Sequence, residues 1–174
     1  MENEMKLTIY PKNKEYFKRL IPFVKKIILI CKENKIFPVI QGSFAHFYYT
    51  KDESIKVNDI DLLIQKKDFE KFMSLLKKTK IKFRYYPKWN TIIIKKGKLK
   101  IEVDDVGKGY KTLKDKNLIK STSKINFYGI EFRMITLRQL EEIYPIAYAR
   151  SIEDKVKLLK KIKHLERFLG RKVK

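Results

Sequence analysis

Two aspartates separated by a single isoleucine, Asp59 and Asp61, stand at the head of the otherwise apolar run IDLLI. Strand interiors disfavour Asp, and like charges this close repel, so something must offset the cost. Later in the chain IEVDD repeats the arrangement, with Glu102 and Asp104 alternating with Ile101 and Val103. In an extended strand, residues two apart point the same way. Asp59 and Asp61 therefore share one face while Ile60 and Leu62 enter the core, and Glu102 shares a face with Asp104. If the two strands are neighbours, three carboxylates converge on one patch. Oxygen-only ligands of this kind favour a hard divalent cation, Mg²⁺ or Mn²⁺. Gly42-Ser43, which closes the apolar run FPVIQ, supplies the complementary half. A strand ending in Gly-Ser at a helix start offers backbone N–H groups to an anion, and Gly lets a phosphate approach closely. A metal-carboxylate patch beside a phosphate cradle is equipment for phosphoryl or nucleotidyl transfer.

The elements that must position these residues follow from periodicity. KEYFKRLIPFVKKIILICKENKI has apolar residues at 17, 20, 21, 24, 27, 28 and 31, an amphipathic helix in which Pro22 marks a late start or a kink. FPVIQ is a short strand, SFAHFYY a short helix capped by Ser43, and DIDLLIQ a buried strand. Asp68 is positioned to cap the helix DFEKFMSLLKKTK, whose residues 69, 72, 73, 75 and 76 form one apolar face. KIKFRYY, NTIIIKK and KLKIEVDDV read as strands, the last two joined by a turn at Lys96-Gly97. GKGYKTLKDKNLIKSTS is polar and irregular, and KINFYGIEFRMI is a hairpin turning near Tyr128-Gly129. Two helices close the chain from Thr136, bent or separated by Pro145. This order predicts an α/β (α+β) fold, a mixed β-sheet with flanking helices and a helical C-terminus. Residues 1–174 read as one domain, with 136–170 a C-terminal helical extension.

The 174 residues carry 42 Lys and Arg against 20 Asp and Glu, a net charge of +22. A basic protein of this kind favours polyanionic partners, although a generally Lys-rich surface gives the same count. Apolar residues make up 44%, enough for a packed core rather than a disordered chain. The lone cysteine, Cys31, excludes an internal disulfide and suits a reducing cytoplasm. The N-terminus lacks the apolar stretch of a signal peptide, and the longest apolar run, IILIC, is far too short to span a membrane. His46 and His164 lie far apart in the chain and form no metal-ligand pair, so a zinc site is not expected. His46 is a candidate to approach the site, set against a packed or partly exposed histidine. Trp89, Tyr85, Tyr86 and Phe83 fill a sheet face or stack a base. Lys155 and Lys157 are candidate triphosphate contacts set against a solvated lysine face. Ser43 has no evident base to make it a nucleophile.

Gly42-Ser43, a loop, Asp59-Ile60-Asp61 and the later Ile101-Glu102-Val103 together resemble the nucleotidyltransferase superfamily of the DNA polymerase β type. Its small members are most similar: minimal, aminoglycoside, toxin–antitoxin and phage-abortive nucleotidyltransferases. The resemblance covers roughly residues 37–106, and more loosely the segment from INFYGIEF to the final helix. It implies that Gly42 and Ser43 hold nucleotide phosphates, and that Asp59, Asp61 and Glu102 form the catalytic, metal-binding set. Glu102 would activate the acceptor, with Asp104 its rival and Asp105 a weaker one. The implied reaction is Mg²⁺-dependent transfer of a nucleoside monophosphate (NMP) from a nucleoside triphosphate (NTP) to an acceptor hydroxyl, releasing pyrophosphate. RNA, a protein or a small molecule would fit as acceptor, and the charge tilts the choice toward RNA or an acidic protein. Two departures stand out. The segment from Phe44 to Asn58 is longer than usual, and Asn58 occupies a position often held by Ser or Thr. A second reading keeps the fold as scaffold for a catalytically inactive basic nucleic-acid-binding or toxin–antitoxin partner protein. The clustered acids oppose it, because a pure binder of polyanions gains nothing from them.

Overall fold

Seven strands form one mixed sheet: β1 (Val39–Gln41), β2 (Ile60–Ile64), β3 (Phe83–Tyr86), β4 (Thr91–Lys96), β5 (Leu99–Asp105), β6 (Ser123–Phe127) and β7 (Ile130–Met134). Their order is β3-β4-β5-β2-β1-β7-β6. The computed structural model describes residues 9–106, 122–127 and 129–173. Strand β2 runs parallel to β5 and antiparallel to β1, while β1 runs parallel to β7. The remaining pairs, β3-β4, β4-β5 and β6-β7, are antiparallel hairpins. Among the described residues five helices accompany the sheet: α1 (Lys14–Glu33), α2 (Gly42–Thr50), α3 (Lys66–Lys78), α4 (Leu137–Arg150) and α5 (Lys155–Leu169).

The two central strands are covered on both faces. Val39 and Ile40 of β1, and Ile60, Leu62, Leu63 and Ile64 of β2, are all buried, which is why both segments read as continuous apolar runs. In β5 buried Ile101 and Val103 alternate with half-buried Glu102 and Asp104, so one face meets the core and the other the site.

All seven apolar positions expected of α1 are buried, from Phe17 to Cys31. The helix is continuous from Lys14 through Pro22, so the proline does not delay its start. Burial pushes the Cys31 thiol up to about 12, as befits a core residue. Helix α1 also pins the loop ahead of the acids. The Asn13 side chain brackets Val57, donating to its carbonyl (2.7 Å) and accepting from its N–H (3.0 Å). The Tyr16 hydroxyl donates to the Asn58 carbonyl at 2.6 Å, and the Lys98 carbonyl lies 3.0 Å from the same oxygen. That tyrosine therefore joins the approaches to β2 and β5.

Several local expectations shift. Helix α2 begins at Gly42 with Gln41 as its N-cap, so Ser43 lies within the first turn and its side chain is not a cap. Helix α3 begins at Lys66, which places Asp68 inside the first turn, where its charge still suits the helix dipole. Thr136 caps α4 by a reciprocal pair of bonds with Gln139. Pro145 is accommodated within α4, and the break before α5 falls at residues 151–154. The GKGYKTLKDKNLIKSTS segment lies almost wholly outside the described residues. Trp89 does not fill a sheet face; it is 63% exposed, and β3 is an edge strand with partly exposed aromatics. No helix among the described residues is long and apolar enough to cross a membrane.

Phe17 joins α1 to α2, its ring centroid 5.3 Å from that of Phe44 and 6.4 Å from that of Phe47. Since Phe17 is fully buried, Phe17→Ala should reduce the unfolding free energy by about 3–5 kcal/mol in a urea titration. A loss below about 1 kcal/mol would mean that α1 is not part of the same cooperative core.

Candidate active site

Strand register brings the acids together. Asp61 on β2 pairs with Gln41 on β1 and with Glu102 on β5. Asp59, just before β2, lies two residues back on the same face. Asp59, Asp61 and Glu102 each offer a carboxylate oxygen within 4.8 Å of the others. Asp104 pairs two residues further along, with Leu63, and its Oδ1 accepts from Thr91 Oγ1 at 2.5 Å. Asp105 is buried and accepts from Asn90 Nδ2 (3.1 Å). Of the three candidates for the third acid, the fold brings Glu102 to the pair.

Gly42 is indispensable to this packing. Its φ is +72°, and a Cβ there would lie 1.9 Å from Asp61 Oδ2. The carboxylate of Asp61 thus occupies the space that any other residue would fill. Sequence reasoning assigns Gly42 to phosphate approach; the structure adds a second requirement, from inside the protein.

Two lysines that sequence reasoning did not single out complete the site. Lys100 Nζ bonds Asp59 Oδ2 (2.7 Å) and Glu102 Oε2 (3.0 Å). Burial pulls the Lys100 pKa down, but its bonds to these two carboxylates outweigh that and raise it. Lys161 of α5 donates to Ser43 Oγ at 2.9 Å. Burial lowers the Lys161 pKa, against the pull of nearby Asp61. A signal for Lys161 did exist: it borders the apolar stripe of Leu158, Ile162 and Leu165 on a helix whose other lysines face outward. Lys100 carried none beyond its alternation with Glu102.

The histidines also correct an expectation. Separated by most of the chain, they meet in space, His46 Nε2 lying 2.8 Å from His164 Nδ1. His46 is buried, and burial first, then the charges of His164 and Lys161, push its pKa down to about 3. Packed as expected, it is nevertheless part of a polar connection between helices.

Two openings adjoin the site, one at Ser43 and one at Glu102. A cavity of about 1250 Å³ runs from Ser43 along α5, where Lys157, Lys160, Lys161, Lys163 and Arg167 line it. A cleft of about 820 Å³ adjoins it, with Glu102, Asp104, Trp89 and Tyr86 in its lining. Lys157 and Lys161 border both. Lys155 instead packs over the Tyr148 ring, 5.7 Å from its centroid.

The donor set suits a divalent cation. It offers only oxygens, and an ammonium already bridges two of the three carboxylates. The third, Asp61, carries the unrelieved cost. Burial first, then the charges of Asp59 and Glu102, push its pKa up to about 8.

No protein-family model and no curated protein matches this sequence. Solved structures do match. An antigenic nucleotidyltransferase-like protein from Paracoccidioides brasiliensis is 14% identical, with a TM-score of 0.61 over 86% of this chain and 76% of that one. ANT(2'')-Ia, solved in complex with adenylyl-2''-tobramycin, is 11% identical, with a TM-score of 0.55 over 86% of this chain and 94% of that one. The lincosamide antibiotic adenylyltransferase LnuA, solved with lincomycin bound, is 11% identical, with a TM-score of 0.54 over 84% of this chain and 96% of that one. The chain has the nucleotidyltransferase fold, as the sequence resemblance implied.

Two outcomes follow from the electrostatics. Asp61 ordinarily ionises at 3.8 but keeps its proton in the folded chain to about pH 8. Between those values the unfolded chain has lost a proton that the folded chain retains, so Asp61 erodes stability as pH rises. In buffer with EDTA, Asp61→Asn should melt above the wild type by a margin that grows from about pH 4 to about pH 8. A margin independent of pH would remove the buried charge as its cause. Lys100→Met should bind Mn²⁺ roughly tenfold more tightly in a calorimetric titration, because a competing cation is gone. Weaker binding would mean that Lys100 orients the carboxylates instead.

Proposed function

We propose that this chain transfers a nucleoside monophosphate from an NTP to an acceptor hydroxyl and releases pyrophosphate. The observation that carries the reading is the convergence of Asp59, Asp61 and Glu102 within 4.8 Å, beside the Gly42-Ser43 start of α2. Mg²⁺ or Mn²⁺ held by these three residues would supply the charge that stabilises the phosphoryl oxygens in the transition state. The remaining work falls to the chain's own groups.

In this reading the triphosphate lies on the basic side. Backbone N–H groups at the start of α2 receive phosphate oxygens, assisted by the dipole of the helix. Lys161, already on Ser43 Oγ at 2.9 Å, counters the charge of the β- and γ-phosphates together with Lys157. The acceptor enters from the cleft lined by Glu102, Trp89 and Tyr86. Its hydroxyl oxygen bonds to the α-phosphorus as the bond from that phosphorus to the bridging oxygen breaks. Pyrophosphate leaves toward the lysines, and the hydroxyl proton passes to Glu102 as general base. Charge accumulates where Lys157 and Lys161 already stand, so their field favours the transition state over the ground state.

The net charge of +22 supports a polyanionic acceptor, RNA or an acidic protein. Two of the structural neighbours are named for or solved with antibiotics, which supports a small hydroxylated acceptor as the alternative.

The test is incorporation of labelled NMP from each of the NTPs into fractions of a cell extract, with Mg²⁺, at two salt concentrations. Asp61→Ala should lower incorporation by a factor on the order of 10³ while leaving acceptor binding intact or slightly stronger. Binding of a polyanionic acceptor should weaken steeply with salt. Equal incorporation by wild type and variant would end the enzymatic reading.

A further inference from the structure

Helix α5 has one fully buried side chain among the described residues, Leu165. Ile162 and Leu169 add partly buried packing against the core, and α5 also carries the lysine that reaches Ser43. Two polar contacts tie α5 to α2. Lys161 Nζ donates to Ser43 Oγ (2.9 Å), and His46 Nε2 meets His164 Nδ1 (2.8 Å). Ser43 and His46 are three residues apart, as are Lys161 and His164, so the contacts lie on one stripe of each helix.

The histidine contact continues at both ends. The Tyr144 hydroxyl, from α4, lies 3.0 Å from His46 Nδ1. His164 Nε2 lies 2.5 Å from Asp52 Oδ2, in the segment after α2. Asp52 also accepts from the Ser54 N–H (2.7 Å). A carboxylate so held only accepts, so His164 carries a proton on Nε2. With His164 neutral, its Nδ1 accepts from His46 Nε2–H, and His46 Nδ1 accepts from the Tyr144 hydroxyl. With His164 protonated the same contacts reverse, from His164 Nδ1–H to His46 Nε2 and from His46 Nδ1–H to the Tyr144 oxygen. In either form every contact keeps a donor and an acceptor. The chain holds without depending on the charge of His164.

We infer that His164 is a positioning residue: through the connected groups Tyr144, His46 and Asp52 it fixes α5 on α2, and so sets Lys161 on Ser43 at the phosphate end of the site. The inference rests on the nucleotidyl-transfer reading for the use of that end. The alternative for Lys161 is free rotation of a long side chain with rotamer entropy to lose on each binding event. A helix held at a fixed distance and rotation limits that loss before the ligand arrives.

The probe is inorganic tripolyphosphate with Mg²⁺, titrated calorimetrically into the full chain. Lys161→Ala should weaken binding by roughly ten- to a hundredfold, the range for a lost charge-assisted hydrogen bond. His164→Ala should weaken it about tenfold, and the double variant should bind no more weakly than Lys161→Ala alone, because the two act as a unit. His164→Asn, whose Oδ1 can accept from His46, should recover part of the loss. Tyr144→Phe keeps the ring and should act in the same direction, providing the reading if His164→Ala does not fold. Multiplying losses in the double variant, or unchanged affinity in both His164→Ala and Tyr144→Phe, would overturn the positioning role while leaving nucleotidyl transfer standing. Failure of the wild type to bind would overturn the nucleotidyl reading and the inference with it. Independently of any ligand, imidazole spectra should show His46 neutral down to about pH 5; titration of His46 between about pH 5 and pH 8 would overturn the chain itself.

Discussion

Asp61 is flanked on both sides by the backbone of its own sheet and faces two further carboxylates. The interior of a protein solvates such a group poorly, and each neighbouring anion adds to the cost. Much of the surrounding structure is organised around that cost. Gly42 leaves out a side chain so that the Asp61 carboxylate has room, with φ in a region that Gly enters freely. Lys100 holds Asp59 and Glu102 from one side, and Lys161 approaches from the other while bonded to Ser43. These lysines moderate the repulsion without removing it, since Asp61 still holds its proton to about pH 8. The site stores an electrostatic debt that a divalent cation is suited to settle.

The scaffold keeps this arrangement from relaxing. Asp59 precedes β2 and would drift away from Asp61 if the loop before it were free. Asn13 and Tyr16, both from the start of α1, fasten Val57 and Asn58 by their backbone groups. The same tyrosine oxygen lies 3.0 Å from the Lys98 carbonyl, near the start of β5. Helix α1 in turn is held by seven buried side chains, Phe17 among them, so core packing and the position of the acids are mechanically continuous.

Charge is partitioned across the molecule in a way that the net value hides. The cavity beside α5 is lined by Lys157, Lys160, Lys161, Lys163 and Arg167, with Glu153 and Glu166, whereas the cleft collects Glu102, Asp104, Asp105 and Asp154 alongside Lys88, Lys157 and Lys161. Of the three converging acids Glu102 lines the cleft, and Lys157 and Lys161 border both openings. An anion entering on the lysine side and a nucleophile entering on the acid side would each meet the polarity that suits it.

The sequence by itself determined the sheet-forming runs, the buried face of α1 and the pairing of acids within each strand, because period and alternation are local properties. Gly42-Ser43 and Asp59-Ile60-Asp61 were legible for the same reason: their meaning depends on neighbours two or three residues away. Some local signals were misread by a few positions, as with Ser43 and Asp68, where helices start earlier than the side chains that were expected to cap them. The resemblance ranked Glu102 ahead of Asp104 and Asp105, but alternation alone left Glu102 and Asp104 on one face. The parallel register of β2 on β5 sets Asp61 beside Glu102 and Leu63 beside Asp104, and so separates those two. Lys100, Lys161 and the meeting of His46 with His164 likewise belong to the tertiary structure. They join segments far apart in the chain, and beyond the place of Lys161 beside the apolar stripe of its helix no local pattern encodes which lysine of a basic protein, or which of two histidines, will be brought against a given partner when the sheet and helices close on one another.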